Sequence, residues 1–269
     1  MRVIAIDWSG ARVNAEKQIW LAEVVDGRLV RLENGRGREA ITDHLIAEAE
    51  RDPQMVVGFD FAFSLPMWFL AANEPGGAPD LWALVEGEGE EWLRACRPPF
   101  WGRPGMRRPV MSAEFRHADR AVPKTGGVQP KSVFQIGGAG SVGTGSLRGM
   151  PSLRRLRDAG LSIWPFDPPG WPRVVEIYPR LLTGIVVKSD PVARAAHLTE
   201  HQPDLPAGLR RLAAADDSAF DAGLSALVMA EHLDDLATLP ELAAPQLVLE
   251  GVIWHPRWRE DPTPVGAAR

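Results

Sequence analysis

The chain has 269 residues, of which 45% are hydrophobic and 24% charged, a composition typical of a globular protein with a sizeable core. Cys96 is the single cysteine, which excludes an intrachain disulfide, and the sequence has neither a signal-peptide pattern nor an apolar run of about 18 residues that could span a membrane. The net charge is −5, but residues 94–157 carry 13 Lys and Arg against two acids, or +11, which leaves −16 for the rest. We therefore expect a soluble cytoplasmic protein, whose basic segment either binds a polyanion or simply offsets the acidic body.

The first 60 residues predict a three-stranded meander, a helix and a parallel fourth strand. Strands are expected at 2–7, 17–25, 28–32 and 55–60, and a helix at 38–51. The dipeptide Asp26-Gly27 is a strong signal for a hairpin turn. The apolar run at 55–60 is typical of a strand that is buried on both faces.

The rest of the chain predicts helices, two further strands and a long irregular segment. Helices are expected at 65–73, 80–96, 152–159, 191–201, 207–213 and 216–236, and strands at 161–166 and 173–178. Residues 97–149 are rich in Pro, Gly and Arg and show weak periodicity, which indicates a functional or mobile loop. The simplest organisation is one α/β domain over residues 1–269 with a central insertion at about 94–157.

Carboxylates accompany the predicted buried strands and one face of the last long helix. Asp7 ends the first strand, Asp60 ends the fourth, and Glu176 interrupts a later one. A carboxylate beside a buried strand is costly unless a cation meets it. Because Mg²⁺ and Mn²⁺ prefer carboxylate oxygens, the pattern predicts a metal site with the ligands Asp7, Asp60, Asp217 and Asp221. Glu176 is expected to be a further ligand or to position the attacking water.

Most of these carboxylates also have a structural alternative. Asp7 could cap the following turn, and Asp60 could form an Asx turn. Glu176 could pair with a neighbouring arginine at a strand edge. Asp217 and Asp221 are four residues apart and so share a helix face, but Asp217 could instead cap that helix. Asp221 lies one turn inside, where capping no longer explains it.

Four motifs resemble, in the same order, segments of the uncharacterised family known as domain of unknown function 429: IDWSGA, GFDFAFSLP, VVEIYPR and DDSAFDAGLSAL. The likeness spans Ile4 to about Trp254. That family is placed in the ribonuclease-H-like superfamily as predicted nucleases. The resemblance implies a ribonuclease-H-like mixed five-stranded sheet, three antiparallel strands and then parallel strands, flanked by helices. It also implies that the family's acids are here Asp7, Asp60, Asp217 and Asp221. The long insertion departs from ribonuclease H itself.

The insertion contains further candidate binding residues. Those expected to contact a nucleic-acid backbone are Lys124, Lys131, Arg148, Arg154 and Arg155. The Gly-rich residues 137–146 lack the Lys-Ser/Thr ending of a Walker A loop, so they either hold a phosphate through backbone N–H groups or form a flexible loop. His117 lies in this segment and His255 near the end of the chain, and an isolated histidine is more often structural than catalytic.

Together these patterns favour a Mg²⁺- or Mn²⁺-dependent nuclease or phosphodiesterase that hydrolyses nucleic acid with two metal ions about 3.5–4 Å apart. Two alternatives stay open. The IDWSGA turn and the Gly-rich segment could bind ATP between them, as in phosphotransferases of the actin and sugar-kinase superfold. The chain could also be a degenerate nuclease fold that serves as a non-catalytic nucleic-acid-binding module.

Overall fold

The computed structural model describes residues 1–73, 75–111, 113–256 and 258, and within these residues seven strands form one sheet. The strands are β1 (Arg2–Asp7), β2 (Trp20–Val25), β3 (Arg28–Glu33), β4 (Met55–Phe59), β5 (Ser162–Ile163), β6 (Arg173–Ile177) and β7 (Ile253–Trp254). The helices of the same residues are α1 (Arg38–Arg51), α2 (Met67–Asn73), α3 (Ala78–Ala95), α4 (His117–Ala121), α5 (Gly143–Asp158), α6 (Pro179–Thr183), α7 (Pro191–His201), α8 (Ala207–Ala215), α9 (Asp217–Glu231), α10 (Leu233–Ala237) and α11 (Pro245–Glu250).

The sheet is mixed, as predicted. Its order is β3-β2-β1-β4-β6-β5, and β7 also pairs with β6. The pairs β1–β2 and β2–β3 are antiparallel, whereas β4 is parallel to β1, β6 is parallel to β4, and β5 and β7 are parallel to β6. The turn between β2 and β3 has φ angles of 49° at Asp26 and 74° at Gly27, the left-handed pair of a two-residue hairpin. The five strands that the resemblance implies are too few, because the two-residue strands β5 and β7 also join the sheet beside β6. Strand β5 lies within the strand predicted at 161–166, whereas β7 was not predicted.

Side chains of the central strands alternate between two cores, one on each face of the sheet. Ile4 and Ile6 enter a core shared with α1, α3 and α5, whereas Val3 and Ala5 enter a core shared with α9. All five residues of β4 are buried, as expected for a continuous apolar run between two helical layers. The parallel strands β1, β4 and β6 therefore end at one edge of the sheet, where ligands commonly bind in open α/β sheets.

Helix α5 departs furthest from the predicted elements. A helix was expected only at 152–159, but α5 begins at Gly143, inside the segment expected to be irregular. Glycine lowers helix propensity, yet Gly149 lies where a Cβ atom would approach the ring of Phe61 to 2.5 Å. The apolar side chains of α5 are buried in the first core. The end of the predicted insertion is thus a core helix, and tertiary contact explains its glycines.

The other helices agree with the predicted ranges to different degrees. Helices α1 and α7 have the predicted ends, whereas the helix predicted at 216–236 is divided at His232 into α9 and α10. Helices α4, α6 and α11 were not predicted, because five or six residues are too few to show a periodic pattern. In the described part of the chain, no helix combines the length and the apolar character needed to cross a bilayer.

Candidate functional site

Asp7 and Asp60 lie side by side at the carboxyl ends of two adjacent parallel strands. Asp7 is the last residue of β1, and Asp60 follows the last residue of β4, whose partner in the register is Ile6. The backbone N–H of Trp8 donates to Oδ1 of Asp60 at 2.5 Å. The turn after β1 is therefore tied to the carboxylate that follows β4.

Helix α9 adds a third carboxylate, that of Asp221, to this edge of the sheet. Burial raises the pKa of Asp7 well above its usual value, and the charges of Asp60 and Asp221 raise it further. Burial likewise raises the pKa of Asp60 well above its usual value, and Asp221 contributes to that rise. Burial also raises the pKa of Asp221. Asp7, Asp60 and Asp221 therefore lie near one another, and we call them the aspartate cluster.

Among the described residues, Lys188 is the cation in contact with the aspartate cluster, and no sequence pattern indicated it. Its ammonium group donates to Oδ2 of Asp221 at 2.7 Å. Oδ1 of Asp221 lies 2.6 Å from the same nitrogen, but outside a hydrogen-bonding direction. The charge of Lys188 lowers the pKa values of Asp7 and Asp60 against the effect of burial. No spacing rule marks this lysine, because it lies far from its partners along the sequence.

Two arginines hold the backbone on which Lys188 is placed. Arg194 is buried, and its guanidinium group donates to the carbonyl oxygens of Lys188 and of Ala214, the latter at 2.9 Å. Arg180 donates to the carbonyl oxygen of Val186 at 2.9 Å and to that of Gly184. The segment that carries Lys188 is thus fixed at several points, and the position of its side chain follows from the fold.

The donor chemistry of the aspartate cluster fits a divalent cation. Oδ1 of Asp221 is buried and accepts no hydrogen bond from the described residues. Carboxylate oxygens are the ligands that Mg²⁺ or Mn²⁺ prefers, and those of Asp7, Asp60 and Asp221 are partly buried. In the side-chain positions of the described residues, however, no three His, Cys, Asp or Glu side chains converge closely enough to hold a metal. Asp221 is directed instead to Lys188.

Asp217 lies apart from the aspartate cluster. It is exposed in the first turn of α9, and it acts on Asp221 only through its charge, which adds to the rise in pKa caused by burial. The helix cap is Asp216, whose Oδ1 accepts hydrogen bonds from the backbone N–H groups of Ser218 at 2.9 Å and Ala219 at 3.0 Å. The capping role considered for Asp217 thus belongs to its neighbour.

Glu176 is one strand further along the same edge, in a buried ionic network with Arg116. Arg116 donates to Oε1 of Glu176 at 2.5 Å and to Oε2 at 2.8 Å, and it also pairs with Asp119 at 2.8 Å. Oε2 of Glu176 additionally accepts the backbone N–H of Phe63 at 2.9 Å. Burial raises the pKa of Glu176, although Arg116 opposes the rise. Glu176 thus contacts both the insertion, through Arg116, and the loop after Asp60, through Phe63. Its partner is Arg116, which is 60 residues away in the sequence, and not a neighbouring arginine.

A pocket of about 380 Å³ opens beside Asp60 and the first turn of α5. Its walls include Trp8 and Gly10 of the turn after β1 and Thr144 and Gly145 of the Gly-rich segment. A Cβ atom at Gly10 would lie 2.5 Å from the backbone nitrogen of Gly145, so the close approach of these two backbones requires glycine. No side chain caps the start of α5. The Gly-rich segment thus lines a pocket next to the aspartate cluster.

The predicted backbone-contacting residues lie in different surroundings. Arg148 and Arg154 pair with acids of α3, and Arg155 pairs with an acid of α1, so these three fasten α5 to its neighbours. Lys131 is exposed, and its ammonium group donates to the carbonyl oxygen of Ala139 at 3.0 Å. Lys124 is exposed beside a different pocket, of about 600 Å³. The arrangement does not bring the five basic residues together.

The two histidines considered from the sequence lie outside the elements that carry the aspartate cluster. His117 begins α4, and its backbone N–H donates to Glu250. His255 follows β7 and lines the pocket near Lys124.

Comparisons with models of protein families, with curated proteins and with solved structures gave no match. The resemblance drawn from the four motifs therefore stays a prediction.

Proposed function

We propose that this chain is a divalent-metal-dependent hydrolase of phosphodiester bonds, with a ribonuclease-H-like fold and nucleic acid as its substrate. The observation that carries the proposal is the aspartate cluster, in which Asp7 and Asp60 stand at the carboxyl ends of adjacent parallel strands and the charge of Asp221, on α9, acts on both. Three partly buried carboxylates with one ammonium group leave an excess of negative charge, which a divalent cation would neutralise.

The topology supports the same proposal. An antiparallel β3-β2-β1 meander, followed by β4 and β6 parallel to β1, is the arrangement that the motif resemblance implies. Asp7 and Asp60 stand at the ends of the first and fourth strands, and Asp221 comes from a C-terminal helix, as that resemblance also implies.

Asp7, Asp60 and Asp221 are the residues that would hold the cation or cations. When bound, such a cation supplies a more acidic water and stabilises the departing oxygen of a phosphodiester. Asp217 lies one turn from Asp221 at the surface, where its charge would strengthen the attraction for a cation without direct ligation. Glu176 would contribute indirectly, because its contact with the N–H of Phe63 holds the loop that follows Asp60.

The pocket beside Asp60 is the place we propose for the substrate phosphate. It lies between the turn after β1 and the uncapped first turn of α5, where backbone N–H groups and the helix dipole favour an anion. The exposed Lys124 and Lys131 would add weaker, salt-sensitive attraction from further away.

The first functional experiment is a cleavage assay with single-stranded DNA, duplex DNA and RNA in the presence of Mg²⁺ or Mn²⁺. We expect Asp7→Asn to lower the cleavage rate at least about a hundredfold, because it removes a charged ligand. The control is Asp204→Asn, which alters an exposed aspartate elsewhere on the surface and should leave the rate unchanged. Cleavage that survives Asp7→Asn would overturn the proposed reaction.

A second candidate function, a non-catalytic nucleic-acid-binding module, is favoured by one observation. Within the described residues, no three carboxylates are close enough together to bind one metal ion. Binding of oligonucleotides that persists in EDTA, with no turnover in the presence of either metal, would assign the chain to this class.

A further inference from the structure

Lys188 occupies the position of a counter-ion in the aspartate cluster. Its nitrogen lies within 2.7 Å of both oxygens of Asp221, and it acts electrostatically on Asp7 and Asp60 as well. The side chain is mostly buried, with 20% of its surface exposed. Arg194 holds the carbonyl oxygen of Lys188 and Arg180 holds that of Val186, so the lysine is placed here by the fold.

Two observations about the aspartate cluster need a common explanation. Asp221 is close enough to raise the pKa values of Asp7 and Asp60, yet in the described residues the three carboxylates do not converge as metal ligands. Asp221 is the member that contacts the ammonium group of Lys188. The contact with Lys188 accounts for both observations, because it turns one carboxylate toward the lysine while leaving it near the other two.

We propose that Lys188 is an exchangeable counter-ion, which neutralises Asp221 when no divalent cation is bound and must withdraw when one binds. The inference rests on the proposed function, because it requires that a divalent cation binds the aspartate cluster. A cation ligated by Asp221 would lie about 2.0–2.6 Å from its oxygens, within reach of the ammonium group, and the two positive charges would repel. The four-carbon stem of lysine allows the ammonium group to swing away while the backbone stays in place.

The exchange gives Lys188 a defined effect on metal affinity. Lys188 lowers the affinity, because binding has to break the ion pair with Asp221. It also stabilises the metal-free fold, since it offsets part of the repulsion among the three carboxylates.

Lysine reactivity measures the displacement directly, because the chain contains only Lys17, Lys124, Lys131 and Lys188. Wild-type protein is treated with an amine acetylating reagent, with and without Mg²⁺, and each lysine is followed by mass spectrometry. We expect Lys188 to be protected in the metal-free protein and to react about tenfold faster with saturating Mg²⁺. The other three lysines are exposed and serve as internal controls, whose rates should not change.

Calorimetry with Mn²⁺ provides the matching affinity measurement. Lys188→Gln should bind Mn²⁺ about tenfold more tightly than wild type, whereas the control Lys17→Gln, which removes the same charge at an exposed site, should bind like wild type. Binding of Mn²⁺ by Lys188→Gln alone would also support the proposal, because it means that the lysine excludes the cation.

The outcomes separate this inference from the proposed function. If wild type binds Mg²⁺ while the reactivity of Lys188 and the affinity of Lys188→Gln stay unchanged, the exchange is wrong and the metal site stands. If neither wild type nor Lys188→Gln binds either cation, the proposed metal site fails, and the exchange fails with it. The acetylation measurement uses wild-type protein, so the test stays decisive even if the variant does not fold.

Discussion

At the scale of single residues, the aspartate cluster places like charges together in a buried position. Burial and mutual repulsion raise the pKa values of Asp7 and Asp60 well above their usual range, and only Lys188 contributes an ammonium group in direct contact with the cluster among the described residues. Such an arrangement lowers the stability of the metal-free protein. Proteins retain destabilising groups of this kind where function requires them.

The cost of the aspartate cluster can be measured with Asp7→Asn in metal-free protein. Because the pKa of Asp7 is raised in the folded state, the folded protein binds this proton more tightly than the unfolded chain does. The stabilisation that comes from binding this proton is therefore present in acid, and it is lost as the pH rises from the usual carboxyl pKa towards the raised value. We expect Asp7→Asn to stabilise the protein at neutral pH by about 0.5–2 kcal/mol, or roughly 2–6 °C in Tm.

Thermal unfolding in EDTA at a series of pH values checks this expectation. The difference in Tm between Asp7→Asn and wild type should vanish in acid, where the Asp7 carboxyl is protonated in both the folded and the unfolded state, and should grow as the pH rises. A variant that is less stable than wild type at neutral pH would mean that the Asp7 carboxylate is held by favourable contacts.

At the scale of elements, the junction between β6 and α4 depends on the buried pair of Glu176 and Arg116. Arg116 also contacts Asp119 and the carbonyl oxygen of Glu250, so it links the insertion to the sheet and to α11. Although burial lowers the pKa of Arg116, the charges of Asp119 and Glu176 raise it above its usual value. The guanidinium group therefore stays charged and neutralises part of the surrounding carboxylate charge.

Two substitutions at this junction distinguish a structural role of Glu176 from ligation. Arg116→Met should destabilise the protein by about 3–5 kcal/mol, because it leaves buried carboxylates without a partner. Glu176→Gln should cost less, about 1–3 kcal/mol, and should leave the affinity for Mn²⁺ within about threefold of wild type. Chemical denaturation and calorimetry measure the two effects. Loss of Mn²⁺ binding in a folded Glu176→Gln variant would instead make Glu176 the metal ligand that the sequence pattern suggests.

The elements also show which local signals could be read from the sequence. The apolar run of β4, the Asp26-Gly27 turn and the periodicity of α1 are local, and each predicted its element well. The first half of α5 could not be predicted, because Gly143 and Gly149 are explained by close contacts with Val133 and Phe61, and Phe61 is remote in sequence.

For the whole molecule, the position of most acidic candidates followed from topology, whereas their neutralising partners did not. Parallel neighbours bring the ends of β1 and β4 together, so Asp7 and Asp60 could be expected to meet. The cations Lys188 and Arg116 come from loops whose path the sequence pattern does not specify. The strongly basic character of residues 94–157 did not by itself identify a nucleic-acid-binding surface. Three of its basic residues, Arg148, Arg154 and Arg155, are paired with acids of α1 and α3.

The central claim is that Asp7, Asp60 and Asp221 form a carboxylate site for a divalent cation. The most direct measurement is calorimetric titration of Mn²⁺ into metal-free protein, with wild type and Asp7→Asn compared at neutral pH. We predict that wild type binds Mn²⁺ and that Asp7→Asn, although folded and more stable, does not. Equal binding by the two proteins would contradict the claim, because the cation would then be held elsewhere.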